Sequence, residues 1–117
     1  MIKLKFIAPI CLLVLLFCGC NSQLDQTNLP AWVNDFVVEK ESAPVENPPA
    51  SIIRCTYQGE DSYYIPAACC NQMSQLYDLN KNKICSPDGG FTGQGDGQCS
   101  DYFTNRKYCE ILWEDPR

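Results

Sequence analysis

Six cysteines, Cys55, Cys69, Cys70, Cys85, Cys99 and Cys109, crowd into residues 55–109 of a chain of 117 residues. A chain this short buries only about 60–70% of its unfolded surface, and so thin a core is commonly supplemented by disulfides, a metal or a partner. An even number of cysteines in an exported chain argues for three disulfides, drawn from fifteen connectivities. Each such bond stabilises a fold by about 2–4 kcal/mol, chiefly by restricting the unfolded chain. Zinc is a poor competitor. The sequence has no histidine and no Cys-x-x-Cys, so a zinc site would have to be built from thiolates and carboxylates alone. The same lack argues against redox chemistry at Cys69-Cys70. Adjacent cysteines are expected to bond outward, one to Cys85 and the other to Cys99, with the assignment between them open.

Export is read from the N-terminus. Met1 to Lys5 carries two positive charges, Phe6 to Phe17 is apolar apart from the interruption at Pro9, and Cys18-Gly19-Cys20 follows. The apolar run is shorter than the roughly 20 residues a spanning helix needs, and residues 1–19 read as a signal peptide. The Gly19-Cys20 ending resembles the lipobox of bacterial lipoproteins, in which a small residue precedes the cysteine that is lipidated and becomes the mature N-terminus. That resemblance implies lipidation at Cys20 and a membrane held as partner through the N-terminal lipid, with each buried methylene adding about 0.8 kcal/mol. Asn21, rather than aspartate, follows the cysteine. By resemblance to known sorting rules this implies a place in the cell envelope at the outer membrane.

Beyond the leader, residues 20–28 are polar and read as a tether, and residues 29–117 as a single small cysteine-rich domain. Leu29, Trp32, Val33, Phe36 and Val37 recur at the spacing of one helical face, with Pro30 where a first turn tolerates it. The expectation is a short amphipathic helix docked on the core. Residues 39–51 contain Pro44, Pro48 and Pro49 among acidic and small residues, and are predicted to form an extended linker inside the domain. Two β-rich runs, Ile52 to Tyr57 and Tyr63 to Ile65, flank a turn at Gln58-Gly59-Glu60-Asp61 and predict a hairpin. Gln75 to Asp78 and Lys83 to Cys85 predict a second, its left-handed turn positions suited to Asn80 or Asn82. Ser100 to Lys107 allows a helical turn. Tyr108 to Trp113 is predicted as a last strand with Cys109, Ile111 and Trp113 on its core face. The fold class is therefore α+β: a small antiparallel sheet with one short N-terminal helix, stapled by disulfides. If the first and last strands are neighbours, about 4.8 Å apart, Cys55 can bond to Cys109.

Five glycines lie between Gly89 and Gly97, in a loop that Cys85 and Cys99 flank. Structural turns are the favoured reading. Asp88 and Asp96 are weak calcium candidates, with Asp101 within reach, because carboxylates and exposed carbonyls are hard oxygen ligands. Asp78, Asn80 and Asn82 match the start of an EF-hand loop, but Lys83 replaces the required glycine and Gly89 the closing glutamate, which rules that motif out. A disulfide-flanked loop also suits a protease inhibitor, although five glycines argue against the rigidity an inhibitor needs. The net charge is −5, and two of the nine basic residues, Lys3 and Lys5, lie in the leader, so nucleic-acid binding is not expected. Without histidine, no nucleophile–base pair is recognisable, and carboxylate pairs such as Glu60-Asp61 or Asp96 with Asp101 are more readily surface groups. No catalytic residue and no cofactor is expected. The functional expectation is a non-catalytic binding or structural domain whose partner is an envelope protein or surface polymer. The alternative is a protease inhibitor or calcium-binding module acting through residues 87–99.

Tyr63-Tyr64-Ile65, Cys69-Cys70, Leu76-Tyr77-Asp78, Ile84-Cys85, Pro87-Asp88-Gly89-Gly90, Thr92-Gly93, Gly95-Asp96-Gly97 and Cys99 together resemble the signature of a family of small exported bacterial lipoproteins classed as a domain of unknown function. Leu29-Pro30-x-Trp32 and Trp113 are similar to it too, so the resemblance spans most of the chain after the leader. It implies a compact lipoprotein domain with no catalytic residue to transfer. Cys55 and Cys109 stand outside that signature, which implies an added bridge.

Overall fold

The computed structural model describes residues 29–117, so Cys20, the leader and the tether lie outside the described residues. The chain runs from helix α1 (Ala31–Glu41) through strands β1 (Ser51–Tyr57), β2 (Glu60–Ile65), β3 (Gln75–Tyr77) and β4 (Lys83–Cys85), a short helix α2 (Tyr102–Asn105), and strand β5 (Lys107–Glu114). All five strands join one antiparallel sheet in the order β4-β3-β2-β1-β5. The first four strands form a meander, which short connections favour. The last strand returns to the free side of β1, as the proposed bridge requires.

Alternation along β1 and β2 divides the core between the two faces of the sheet. Ile52 and Tyr63, both fully buried, join Leu112 and the α1 residue Val33 in one cluster. Helix α1 docks there through aromatic edges. The Trp32 ring lies 5.3 Å from that of Tyr63 and 5.7 Å from that of Tyr77, and Phe36 meets Trp113 at 6.2 Å. The Trp32 indole N–H donates to the carbonyl of Leu79 at 3.0 Å, fixing the helix against the β3–β4 connection. Such docking is what holds so short a helix together. At its C-terminus the Arg117 guanidinium donates to the carbonyls of Lys40, Glu41 and Ala43 and also to the buried carboxylate of Asp115. It thereby ties the last helical turn and the residue pair after it to the C-terminus of the chain.

Cys55, Tyr57, Tyr64, Leu76 and Cys85 face the other way and pack with Cys99 and Tyr102. This second core is covered by the glycine-rich segment and α2 rather than by a long helix. Cys85–Cys99 spans its rim with α-carbons 6.1 Å apart, and Cys55–Cys109 joins β1 to β5 with α-carbons 4.1 Å apart.

Several expectations need correction. Cys69 and Cys70 bond to one another, and Cys85 pairs with Cys99, because the 69–70 turn is exposed at the surface while Cys85 and Cys99 are buried together. The predicted linker begins later and ends sooner, since α1 takes in Glu39 to Glu41 and β1 starts at Ser51. Glu60 and Asp61 belong to β2, not to the turn. Lys81, at φ 61, takes the left-handed position assigned to asparagine. The face of β5 is inverted over part of its length: Leu112 is buried, whereas Ile111 is 59% exposed. Register shifts against β1 account for this, because each irregularity moves the alternation by one residue.

Candidate functional site

The glycine-rich segment is an ordered lid on the second core. The Gly95 N–H donates to Gly89 O at 2.9 Å, and the Gly89 N–H to Gly93 O at 3.2 Å. Gly90 donates to Gln72 O at 2.9 Å and Asp96 to Ser86 O at 3.0 Å, tying the segment to its surroundings. Gly95 sits at φ +65, and a β-carbon there would lie 1.9 Å from the Ser86 carbonyl oxygen. Only glycine allows that approach. At the tip, Gly90 to Gly93 forms a turn whose Phe91 ring is 91% exposed.

The calcium candidates are engaged in hydrogen bonds within the chain. The Asp88 carboxylate accepts the Tyr64 hydroxyl at 2.8 Å. Asp96 accepts the backbone N–H groups of Ser86 and Gln98, both at 3.0 Å, and the bond from Gln98 leads in holding its carboxyl below the usual carboxylate range. Asp101 accepts from Tyr57 at 2.7 Å and from the Asn105 amide at 2.9 Å, and is lowered in turn, chiefly by the Tyr57 hydroxyl. Among the described residues no group of three histidine, cysteine or acidic side chains converges as a metal site would require. The EF-hand-like Asp78 accepts the N–H groups of Asn80 at 2.9 Å and Asn82 at 2.8 Å, which makes it the organiser of the β3–β4 turn. Glu60, Asp61 and Asp78 line a shallow cleft of about 360 Å³.

A second cleft, of about 460 Å³, opens where β1 turns into β2 and β5 begins. Gln58 and Gly59 alone connect the two strands, and both lie at positive φ, the geometry of a tight hairpin turn. Tyr57, the last residue of β1, directs its hydroxyl to Asp101, and that hydrogen bond, aided by burial, pushes the phenol up to about 12. In this pair the Tyr57 hydroxyl is the donor. Lys107 and Tyr108 also line the cleft, the latter 85% exposed at φ 54.

The sequence brought Cys55 and Cys109 together by face and strand order, but it did not reveal this cleft. Tyr57 and Asp101 are 44 residues apart, so only the topology joins them. The one local signal was the turn at Gln58-Gly59-Glu60-Asp61, which the structure narrows to Gln58 and Gly59, both at positive φ. Among the described residues no helix is long and apolar enough to cross a membrane.

No curated protein and no solved structure matches the chain. A family model described as "Domain of unknown function (DUF6970)" matches residues 38–115, from the last turns of α1 to the residue after β5, and takes in both clefts, the glycine-rich segment and all three disulfides. The chain belongs to the family of the domain of unknown function DUF6970.

Proposed function

We propose that the chain is a lipoprotein of the cell envelope, anchored at the outer membrane through lipid on Cys20, whose domain is a non-catalytic binding module. The observation that carries this reading is the pairing of all six domain cysteines, which accords with an oxidising compartment. The charged start, apolar run and Gly19-Cys20 ending of the leader point the same way. A binding role draws support from chemistry. The sequence has no histidine, and the Asp88 and Asp101 carboxylates serve as acceptors for tyrosine hydroxyls. The inhibitor reading stands second on one observation, the exposure of Phe91 at the tip of a loop anchored by Cys85–Cys99. Its tight turn lacks the extended shape in which substrates usually enter proteases.

Metabolic labelling with an alkyne fatty acid tests the anchor. Wild type is expected to take up label and to sediment with membranes, and Cys20→Ser to do neither. Wild type without label would end the lipoprotein reading.

A further inference from the structure

We propose that the cleft between the β1–β2 turn and the start of β5 is a binding site for an uncharged oligosaccharide, with Tyr108 as the ring on which a sugar stacks. The inference deepens the binding-module reading and rests on it. Among the described residues, two of the four non-glycine residues at positive φ, Gln58 and Tyr108, line this one cleft. Gln58 owes its φ to the tight hairpin turn, but a bulky residue such as Tyr108 in the left-handed region is an outlier of the kind found where a side chain is aimed at a ligand. Tyr108 sits beside the register shift of β5, which turns its ring outward, while the neighbouring Cys109 is bonded to the buried Cys55. The ring is thus exposed on a backbone pinned to the core. Little order then has to be imposed on binding, which is the condition under which a small surface yields useful affinity.

The rest of the wall has the chemistry of sugar recognition. A pyranose offers an apolar face of C–H groups and a rim of hydroxyls that both donate and accept. Tyrosine supplies a rigid, amphipathic surface for the first. Gln58, Asn105 and Asp101 supply planar amides and a carboxylate for the second. Asp101 is already oriented by Tyr57 and Asn105, each holding one of its oxygens. A cleft of about 460 Å³ falls within the usual range for small-ligand sites. The chain's net charge of −5 disfavours a polyanionic glycan, so a neutral one is specified.

The test uses the full-length protein, extracted in a polyoxyethylene detergent so that no detergent sugar competes. Chitohexaose and cellohexaose are titrated by calorimetry. At least one is expected to bind with a Kd of about 0.1–1 mM. Tyr108→Ala should weaken that binding at least about tenfold and Tyr108→Phe by no more than about threefold, because the ring face is retained. Gln58→Ala should weaken it several-fold and gives an independent readout from the β1–β2 turn. Near-ultraviolet circular dichroism matching wild type certifies that each variant is folded. Absence of binding to both sugars at about 10 mM, or Tyr108→Ala and Gln58→Ala binding like wild type, overturns the proposal. Fatty-acid labelling of the same preparation separates the two readings. Labelled protein that ignores sugar sinks the sugar site alone, and unlabelled protein that binds sugar sinks the anchor alone.

Discussion

Replacing Gly95 with alanine, alongside the same change at Gly93, measures how tightly the glycine-rich lid is held. Both residues have left-handed φ, +65 and +77, but only Gly95 is crowded. Its β-carbon would meet Ser86 O at 1.9 Å and Asp88 N at 2.8 Å, whereas at Gly93 nothing lies within 4 Å. Placing an L-residue in that conformation costs about 1–2 kcal/mol in either case, and for Gly93→Ala this is the whole effect. For Gly95→Ala the backbone must also move away from Ser86. It then forfeits the bonds from Asp96 N–H to Ser86 O and from Gly95 N–H to Gly89 O, each contributing about 0.5–1.5 kcal/mol net. The gap between the variants is therefore about 1–3 kcal/mol, and at about 4–8 °C per kcal/mol for a domain of this size, Gly95→Ala should melt roughly 10 °C below Gly93→Ala. Thermal unfolding followed by circular dichroism without reductant provides the comparison. Equal melting temperatures for the two variants would refute the close approach of Gly95 to Ser86.

Two further outcomes follow from the geometry. Removing the Cys55–Cys109 bond with the double change Cys55→Ser and Cys109→Ser, across a separation of 54 residues, should lower stability in urea by about 4 kcal/mol, and an unmoved midpoint would count against the bond. The Tyr57–Asp101 hydrogen bond should appear in the pH dependence. With the phenol raised from 10.0 to about 12 in the fold, its contribution is complete below pH 10 and lost as pH rises towards 12, so wild type should lose stability across that window more steeply than Tyr57→Phe. On the acid side the sign reverses: Asp101 is lowered, as are Asp78, Asp96 and Asp115, so stability should fall as pH drops through the depressed values in both proteins, but more steeply in wild type than in Asp101→Asn. Parallel curves for wild type and variants would remove the hydrogen bond from the account.

The elements that a local pattern specifies were legible in the sequence. β-rich composition around a turn located β1 and β2, and helical spacing located the Trp32, Val33 and Phe36 face of α1. The pairing of Cys55 with Cys109 followed once the first and last strands were taken as neighbours. What was hidden depends on register or on distance along the chain. A two-residue period cannot foresee a register shift, so the β5 face was assigned to Ile111 rather than Leu112. The Tyr64–Asp88 and Tyr57–Asp101 bonds join residues 24 and 44 apart, whose carboxylates look in sequence like any exposed acid or loose metal ligand. The Cys69–Cys70 bond ran against the assumption that neighbouring cysteines seek separate partners.

Strand order also sets an order in time. As a chain lengthens from its N-terminus, β1 to β4 can pair one after another, each with the strand just made. The other side of β1 has no occupant until β5 arrives, more than fifty residues later. During that interval the row of unpaired amides and carbonyls along Ser51–Tyr57 is an adhesive edge, open to the same strand of another copy. Oxidation of Cys55 with Cys109 ends the exposure by making the native neighbour permanent. Cys55 left free in an unfinished chain is equally able to seal the wrong pairing, so the yield of correct molecules should be decided by how quickly β5 follows β1 relative to encounters between chains.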